Sequence, residues 1–254
     1  MLKFFSYNVF CFLLLPIIVV IYMSFNSNAY FMLGNDLSIQ WYKELFTTPI
    51  WISTFKNSIL IGTFSTLISL LIGIPAALWL RFNSKYESVI MSLILSPMII
   101  PPIIAAVGWF FFYSSLNMNN SMINMVLSHT ILSIPFVVIS VLTSLKQYNL
   151  SLTKSSLLCG ANQFETFIYV TFPQIKLGIF TGALLSFMNS FDEFIVSMFL
   201  SNHNTRTIPL QLWSSMRENI SPVVLAIASI LIVVSFIFLL LLSNNKYFKG
   251  ANVE

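Results

Sequence analysis

The chain has 254 residues, of which 57% are hydrophobic and only 8% are charged. A soluble domain carries about 25% charged residues, so this composition excludes one and indicates an integral membrane protein. The net charge of +4 does not indicate a nucleic-acid partner, because most basic residues fall on one predicted side of the membrane. The two cysteines, Cys11 and Cys159, do not make a disulfide framework.

The first predicted membrane span covers residues 5–25 of a charge-free stretch that contains Pro16. No small-residue cleavage site follows it, so we expect an uncleaved anchor rather than a removable signal peptide. Residues 26–56 are polar and aromatic, which predicts a short external structure near the lipid headgroups. The second predicted span covers residues 57–80 and is followed by Arg81.

The uncharged stretch from Ser88 to Leu145 is longer than two crossings of roughly 20 residues each. It therefore predicts two spans, over residues 88–113 and 122–144, joined by an asparagine-rich turn. A lone histidine in the fourth span, His129, is expected to be a buried residue bonded to a neighbour rather than a ligand.

Three prolines are expected to bend or unwind the third span, because proline interrupts helical hydrogen bonding. The freed carbonyl groups are costly in lipid, so this part should face protein or a water-filled path. Broken helices at mid-membrane occur at transport sites, but kinks also arise from packing alone, and both interpretations stay open. The prolines are Pro97, Pro101 and Pro102.

The fifth predicted span, residues 177–201, carries two adjacent acids, Asp192 and Glu193, with Asn189 one helical turn before them. Charges inside a bilayer cost roughly 2.5–3.5 kcal/mol each on insertion scales, so they need water, a cation or a partner. Small and polar residues at helical steps predict a stripe that lines an aqueous, cation-favouring path: Gly182, Ser186, Asn189, Glu193 and Ser197. The alternative is that the acids cap the helix, pin it against another subunit, or lie nearer the membrane edge.

Residues 202–221 are predicted to form a polar external loop, and residues 222–242 the sixth span of a single transmembrane domain over 1–254. Basic residues favour the cytoplasmic side. With a cytoplasmic amino terminus, the inner set is Lys3, Arg81, Lys85, Lys146, Lys154, Lys176, Lys246 and Lys249. The outer set is only Lys43, Lys56, Arg206 and Arg217, which predicts that both termini are cytoplasmic.

Residues 146–176, between the fourth and fifth spans, are the longest stretch that a bilayer interior cannot hold. Apolar residues recur at helical spacing on both sides of Gly160, and glycine tolerates the positive φ that ends a helix. We therefore predict a short helix, a turn, and a second short helix that ends before Pro173. Its apolar face indicates a docking element for another protein, or a connector packed under its own helices.

Motifs of catalysis are missing from the sequence. It has no GxxxxGK[ST] phosphate loop, no HExxH, no clustered Cys and His ligands and no placeable serine-histidine-acid set. The chain is therefore predicted not to be an enzyme, and no cofactor or metal ion is expected.

The spacing of Gly160, Ala161, Phe164 and Pro173 resembles the EAA loop of ABC importer permeases. In that family a glutamate and two alanines precede the glycine; here these positions hold Lys154, Ser155 and Ser156. The resemblance implies that residues 154–173 dock in a groove of a separate ATP-hydrolysing subunit. The reversed charge at the first position departs from the family pattern.

Longer segments extend the resemblance to the permease subunits of spermidine/putrescine ABC importers: SFNS at 24–27, WYKELF at 41–46, SHTILSIPFVVISV at 128–141, SFDEFIVSMFLS at 190–201 and TIPLQLWSSMRENISPVVLAIASI at 207–230. It implies an all-α, six-helix bundle of the type I ABC importer permease (MetI-like) fold in the bacterial cytoplasmic membrane. It also implies polyamine import by alternating access past Asn189, Asp192 and Glu193. The implied partners are a pair of ATPase subunits, a second homologous permease, an extracytoplasmic substrate-binding protein and membrane lipid, without nucleic acid.

Alternative functions stay open at this point. Related permeases serve phosphonate, iron or thiamine importers, in which a separate binding protein selects the cargo. From another class, the chain could be a stand-alone, ion-coupled secondary transporter or channel driven through its acidic pair, and from a third, a membrane scaffold that transports nothing.

Overall fold

The computed structural model describes residues 2–27, 36–82, 86–218 and 221–244. Over these ranges the chain is helical, as predicted, and its one strand-like feature is an isolated bridge between Asn26 and Leu37. The helices are α1 (Leu2–Ser24), α2 (Gln40–Thr47), α3 (Pro49–Phe82), α4 (Glu87–Ile99), α5 (Pro102–Ser115), α6 (Ser121–Gln147), α7 (Leu150–Leu158), α8 (Gln163–Thr166), α9 (Phe172–Asp192), α10 (Ile195–Leu200), α11 (Ile208–Glu218) and α12 (Val223–Asn244). A π-helical turn, Phe167–Thr171, joins α8 to α9.

Four stretches in the described ranges are long and apolar enough to cross a membrane alone: Phe5–Ser24, Pro49–Phe82, Ser121–Gln147 and Gln163–Asp192. Helices α4 and α5 qualify as one broken span, and α12 is a shorter apolar helix over Val223–Ile237. Helix α11 lies within the segment predicted as a loop, so that prediction is wrong there. The predicted inner residues Lys85, Lys246 and Lys249 lie outside the described residues, as does the side chain of Lys3.

The break between α4 and α5 falls at two of the three predicted prolines, Pro101 and Pro102, and turns the chain by 95°, whereas Pro97 lies inside α4. Pro102 is the first residue of α5, where its missing N–H has no helical partner to lose. Ile99 and Ile104, on either side of the break, are 78% and 64% exposed. The described part of the chain therefore leaves this bend uncovered.

The chain forms two compact units, and the first consists of Met1–Ile52 with Gln211–Glu254. Within it the Tyr42 hydroxyl lies 2.6 Å from Ser24 Oγ on α1 and 2.8 Å from Ser229 Oγ on α12. Trp41 Nε1 donates to the Asn26 carbonyl oxygen at 2.7 Å. The aromatic segment after the first span is thus a short helix held against two membrane helices.

The second unit, Ser53–Leu210, is built around α6, in which 12 residues are buried. Valines of α6 pack with residues of α3 and α9 into one apolar core: Ala77, Leu80, Val137, Val138, Val141, Leu142, Leu145 and Ile175. Valine is well suited to such sites because its branched side chain loses little conformational freedom on burial.

Helices α6 and α9 meet along small residues four positions apart on α9: Gly178, Gly182, Ser186 and Ser190. A Cβ atom at Gly178 would overlap Ser144 Oγ and lie 2.8 Å from the Ser140 carbonyl oxygen. At Gly182 it would lie 3.1 Å from Val137 Cα. Glycines at this spacing let two membrane helices approach to backbone contact. We refer to these four residues and the α6 residues opposite them as the small-residue contact.

Candidate functional site

The segment between α6 and α9 forms the predicted helix and turn. The Asn149 side chain caps α7 by accepting from the Ser151 N–H at 3.0 Å, and α7 ends at Leu158. Gly160 has φ of +94°, so the turn lies where its glycine predicts. Helix α8 starts with a capping box in which Asn162 and Glu165 bond each other's backbone N–H at 2.9 and 2.8 Å. This box was not predicted, although an Asn followed three residues later by Glu is its signature.

The second helix of this segment does not end before Pro173, and that prediction is wrong. Helix α8, the π-helical turn and α9 form one continuous helical stretch, Gln163–Asp192. The Phe172 N–H bonds the Phe167 carbonyl, five residues back. This wider turn accommodates one extra residue immediately before Pro173, where proline cannot supply the next N–H. The second helix of the loop and the first part of the fifth span therefore belong to one helical stretch.

Large apolar side chains of the segment are exposed on both sides of the Gly160 turn. Leu158 is 88% exposed, Phe164 73% and Tyr169 77%, and no residue of α7 is buried. These three side chains are therefore not packed under the chain's own helices, whereas Phe167 of the same segment packs against the core of the second unit. We name residues 148–171 the docking loop.

The other predicted loop residues take different positions. Lys154, Ser155 and Pro173 are exposed, and Ala161 is half-buried. Ser156 Oγ lies 3.0 Å from Thr166 Oγ1, a contact between α7 and α8. The first two therefore lie on the outer surface of the loop, whereas Ser156 helps to hold its two helices together.

The docking loop starts from an anchored helix end. Arg81 Nε donates to the Leu145 carbonyl oxygen at 3.0 Å, which ties the last turn of α3 to α6. Lys146 forms an ion pair with Glu87 at the start of α4, with 2.5 Å between Nζ and Oε1. Tyr148 is buried, and its hydroxyl lies 2.8 Å from Thr153 Oγ1 of α7. The first helix of the loop is thus held close to the carboxyl end of α6.

At the opposite end, α9 stops at Asp192, so the prediction of one continuous helix over 177–201 is wrong. Glu193 has ψ of 110° and leaves the helix. Its carboxylate oxygen Oε1 accepts from the backbone N–H groups of Ile195 and Val196 at 2.9 and 3.1 Å. These groups begin α10 and have no partner within it. The side chain of Glu193 therefore favours a new helix start over continuation of the old one.

The predicted polar stripe is consequently not one surface. Gly182 and Ser186 are buried against α6. Ser197 lies on α10, buried, and its hydroxyl donates to the Glu193 carbonyl oxygen at 3.0 Å. The Glu193 carboxylate thus caps the start of α10, a contact of the kind that the capping alternative expects.

The three residues predicted to line a path differ in exposure. Asp192 is exposed, whereas Glu193 and Asn189 are half-buried. The Nδ2 atom of Asn189 is buried and has no hydrogen-bond partner among the described residues. Of the two carboxylates, the Asp192 group is the more exposed.

A buried polar chain crosses three helices near this end of α9. His129 Nδ1 on α6 lies 2.8 Å from Ser190 Oγ on α9, which lies 3.0 Å from Ser65 Oγ on α3. Ser65 Oγ also donates to the Gly62 carbonyl oxygen at 3.1 Å. The prediction that His129 is a buried, bonded residue is confirmed. The hydroxyl partners were missed, although serines inside an apolar span commonly mark such contacts.

Comparison with known proteins places these features in a family. The chain is 26% identical over 233 residues to the spermidine/putrescine transport system permease protein PotC of Escherichia coli (strain K12), an alignment covering 91% of this chain and 88% of that protein. It is 25% identical over 238 residues to PotC of Haemophilus influenzae, covering 93% of each. It is 24% identical to the putrescine transport system permease protein PotI of Escherichia coli (strain K12), covering 88% of this chain and 82% of PotI.

A solved structure shares the fold. The crystal structure of a bacterial ABC transporter involved in the import of the acidic polysaccharide alginate contains a chain that matches with a TM-score of 0.76. The match covers 96% of this chain and 95% of that one at 19% sequence identity. The fold is thus that of a type I ABC importer permease, as predicted.

Residues 69–245 match the family described as the binding-protein-dependent transport system inner membrane component, and the chain belongs to this family. It is a multi-pass inner-membrane permease. Its role is that of the non-catalytic membrane subunit, and ATP is hydrolysed by a separate subunit.

Proposed function

We propose that this chain is a permease subunit of a polyamine importer that moves spermidine- or putrescine-like cations across the cytoplasmic membrane by alternating access. The observation that supports a polyamine cargo is the similarity to permeases named for these polyamines, which extends over about nine tenths of the chain. An exposed carboxylate at the end of α9 opposite the docking loop, Asp192, agrees with a cationic cargo.

The cargo path is proposed to pass the end of α9, with Asn189, Asp192 and Glu193 on its wall. A carboxylate at a water-filled path attracts a cation. The cation balances the negative charge, and this lowers the free-energy cost of a charge inside the membrane. One exposed carboxylate from this chain binds a polycation weakly, so the cargo can leave again. The half-buried Asn189 amide adds a polar group beside it.

Coupling to ATP hydrolysis is proposed to run through the docking loop, with residues 154–173 seated in a groove of the ATPase subunit. Leu158 and Phe164 would fill that groove, since burying each removes apolar surface that nothing in the described chain covers. The continuous stretch Gln163–Asp192 then carries a push on the loop to the acidic end. Lys154 supplies a positive charge at a position where the family has a negative one.

The remaining partners follow from the same proposal. A pair of ATPase subunits, a second homologous permease and an extracytoplasmic binding protein complete the importer. The uncovered bend between α4 and α5 supports the second permease, because carbonyl groups freed by its prolines cannot face lipid. The excess of basic residues on the loop side supports a cytoplasmic docking loop and cytoplasmic termini.

Transport assays on the assembled complex test this function. We expect polyamine uptake to require the ATPase subunit and to fall at least tenfold in Asp192→Asn, with complex yield unchanged. The matched control is Asp36→Asn, an exposed acid in the other compact unit, which should transport normally. Uptake that persists without the ATPase subunit would identify an ion-coupled secondary transporter instead. Uptake of phosphonate, iron or thiamine in place of polyamine would show that the chain belongs to an importer with a different cargo.

A further inference from the structure

The two adjacent acids at the end of α9 differ in what their carboxylates contact. Asp192 is the last residue of the helix and its side chain is exposed. The Glu193 carboxylate turns back onto the chain and accepts two backbone N–H groups, from Ile195 and Val196. The Asp192 carboxylate is thus exposed, whereas one oxygen of the partly exposed Glu193 carboxylate holds two hydrogen-bond donors.

The turn at residues 193–194 joins two pieces that are each packed in place. Before it, Ser190 and Ser186 of α9 lie in the small-residue contact with α6. After it, α10 is fixed by Val196 and Leu200, which are buried in an apolar cluster with residues of α3, α5 and α6: Ile61, Ala106, Tyr113 and Met125. The direction of the Asp192 side chain therefore depends on the conformation of this turn.

Helix α10 has six residues and needs help to start. The first four N–H groups of any helix lack partners within it, and so short a helix gains little from its own hydrogen bonds. The Glu193 carboxylate satisfies two of these groups, and the Ser197 hydroxyl bonds the Glu193 carbonyl oxygen. Glu193 is thus bonded to α10 through both its side chain and its backbone.

Resting on the proposed function, we infer that Glu193 is a positioning residue of the cargo path. Its carboxylate holds the joint between α9 and α10, so that the neighbouring Asp192 carboxylate faces the cargo. Glu193 acts on transport through this joint and does not bind the cargo.

Two substitutions of Glu193 distinguish the role of its acceptor oxygen from the role of its charge. In Glu193→Gln an amide oxygen stands in the place of Oε1 and can accept the same two N–H groups, while the charge is lost. In Glu193→Met the side chain keeps its length but has no strong acceptor. A residue that binds a cation needs the charge, whereas a residue that holds a helix start needs only the acceptor.

The experiment uses the complete importer, with its ATPase and binding protein, reconstituted in lipid vesicles. Cargo uptake and amide hydrogen exchange at Ile195 and Val196 are measured in Glu193→Gln, Glu193→Met and Asp192→Asn. We expect Glu193→Gln to keep at least half of the wild-type uptake with wild-type exchange. We expect Glu193→Met to lose about fivefold in uptake and to exchange these two amides about fivefold faster, as loss of a typical helix cap would give. Asp192→Asn should lose uptake without a change in exchange.

Three results would overturn the inference. Glu193→Gln with uptake as low as Asp192→Asn and unchanged exchange would show that the charge of Glu193 meets the cargo. Full uptake in Glu193→Met would show that transport does not need the joint. A wild-type complex without ATP-driven uptake would overturn the proposed function, and the role of the joint in the cargo path with it.

Discussion

The small-residue contact and the docking loop are opposite in construction. Along the contact, glycine and serine let α6 and α9 approach until backbone meets backbone, and nothing is left exposed between them. In the loop, leucine, phenylalanine and tyrosine extend away from the chain. The contact is complete within one polypeptide, whereas the loop presents apolar surface that only another molecule can bury.

The difference indicates how a movement of the docking loop can be transmitted to α9 and α6. A partner that covers Leu158 and Phe164 gains roughly 1.5–3 kcal/mol for each fully buried large apolar side chain, enough to hold the loop during a cycle. The loop is attached to α9 without a break, and α9 is fixed to α6 by close contacts that leave no room for a Cβ atom at Gly178. Deforming such a pair is costly, so a push on the loop moves both helices together.

Breaking the small-residue contact should have the largest effect, measured as the yield of folded protein. Gly178→Val places two methyl groups where a single Cβ already meets Ser144 and the Ser140 carbonyl oxygen. Overpacking costs typically 1–3 kcal/mol and more where backbone must move, so we expect little folded protein in detergent. The control is Gly108→Val in α5, where an added Cβ meets no atom within 4 Å, and its yield should be near wild type. Equal yields of the two variants would contradict a tight contact.

Changing the turn of the docking loop should separate assembly from folding. No atom lies within 4 Å of an added Cβ at Gly160, but its φ is +94°, which costs a residue with a side chain roughly 1–2 kcal/mol. Gly160→Leu should therefore redirect α7 and abolish co-purification of the ATPase, while the permease folds normally. Gly160→Asn is the control, because asparagine tolerates positive φ better, and it should retain more ATPase. Normal co-purification by the leucine variant would remove the turn from the docking surface.

Residue chemistry explains which parts of this comparison could be predicted. The Gly160 turn and the break at Pro101 and Pro102 were predictable because glycine and proline restrict or free the backbone locally. The continuation of the helix through Pro173 was not, because it depends on a π-helical turn that has no residue signature.

The acidic end of α9 shows the same limit. Apolar length alone predicts one helix through residues 177–201, but the Glu193 side chain bonds the backbone two and three residues ahead and starts another. The spacing of Gly182 and Ser186 did indicate a special face. Without knowledge of the helix opposite, that face was assigned to the cargo path instead of to α6.

A smaller effect on stability is expected at Ser190, where the small-residue contact depends on hydrogen bonds rather than on close packing. Ser190→Ala removes the partner of His129 Nδ1 inside the protein, and an unsatisfied buried group costs about 1–3 kcal/mol. We expect the free energy of unfolding in detergent to fall by that amount. Ser92→Ala is the control, since that exposed serine bonds only the carbonyl of its own helix, and it should change stability by less than about 0.5 kcal/mol. A double variant with His129→Leu should recover part of the loss, because the imidazole that lost its partner is then gone and Ser65 keeps its bond to the Gly62 carbonyl oxygen.

The smallest effect should come from the ion pair at the base of the docking loop. The Lys146 and Glu87 side chains are 54% and 29% exposed, and ion pairs this open to solvent contribute about 0–1 kcal/mol. Lys146→Gln should therefore lower the free energy of unfolding by less than about 1 kcal/mol, and raising the salt concentration to 1 M should remove most of the difference by screening. Arg81 remains bonded to the Leu145 carbonyl in that variant, so ATPase co-purification should be unchanged. A loss of co-purification with stability intact would instead place the ion pair in the coupling route, and the anchored end of α6 would then depend on charge as well as on packing.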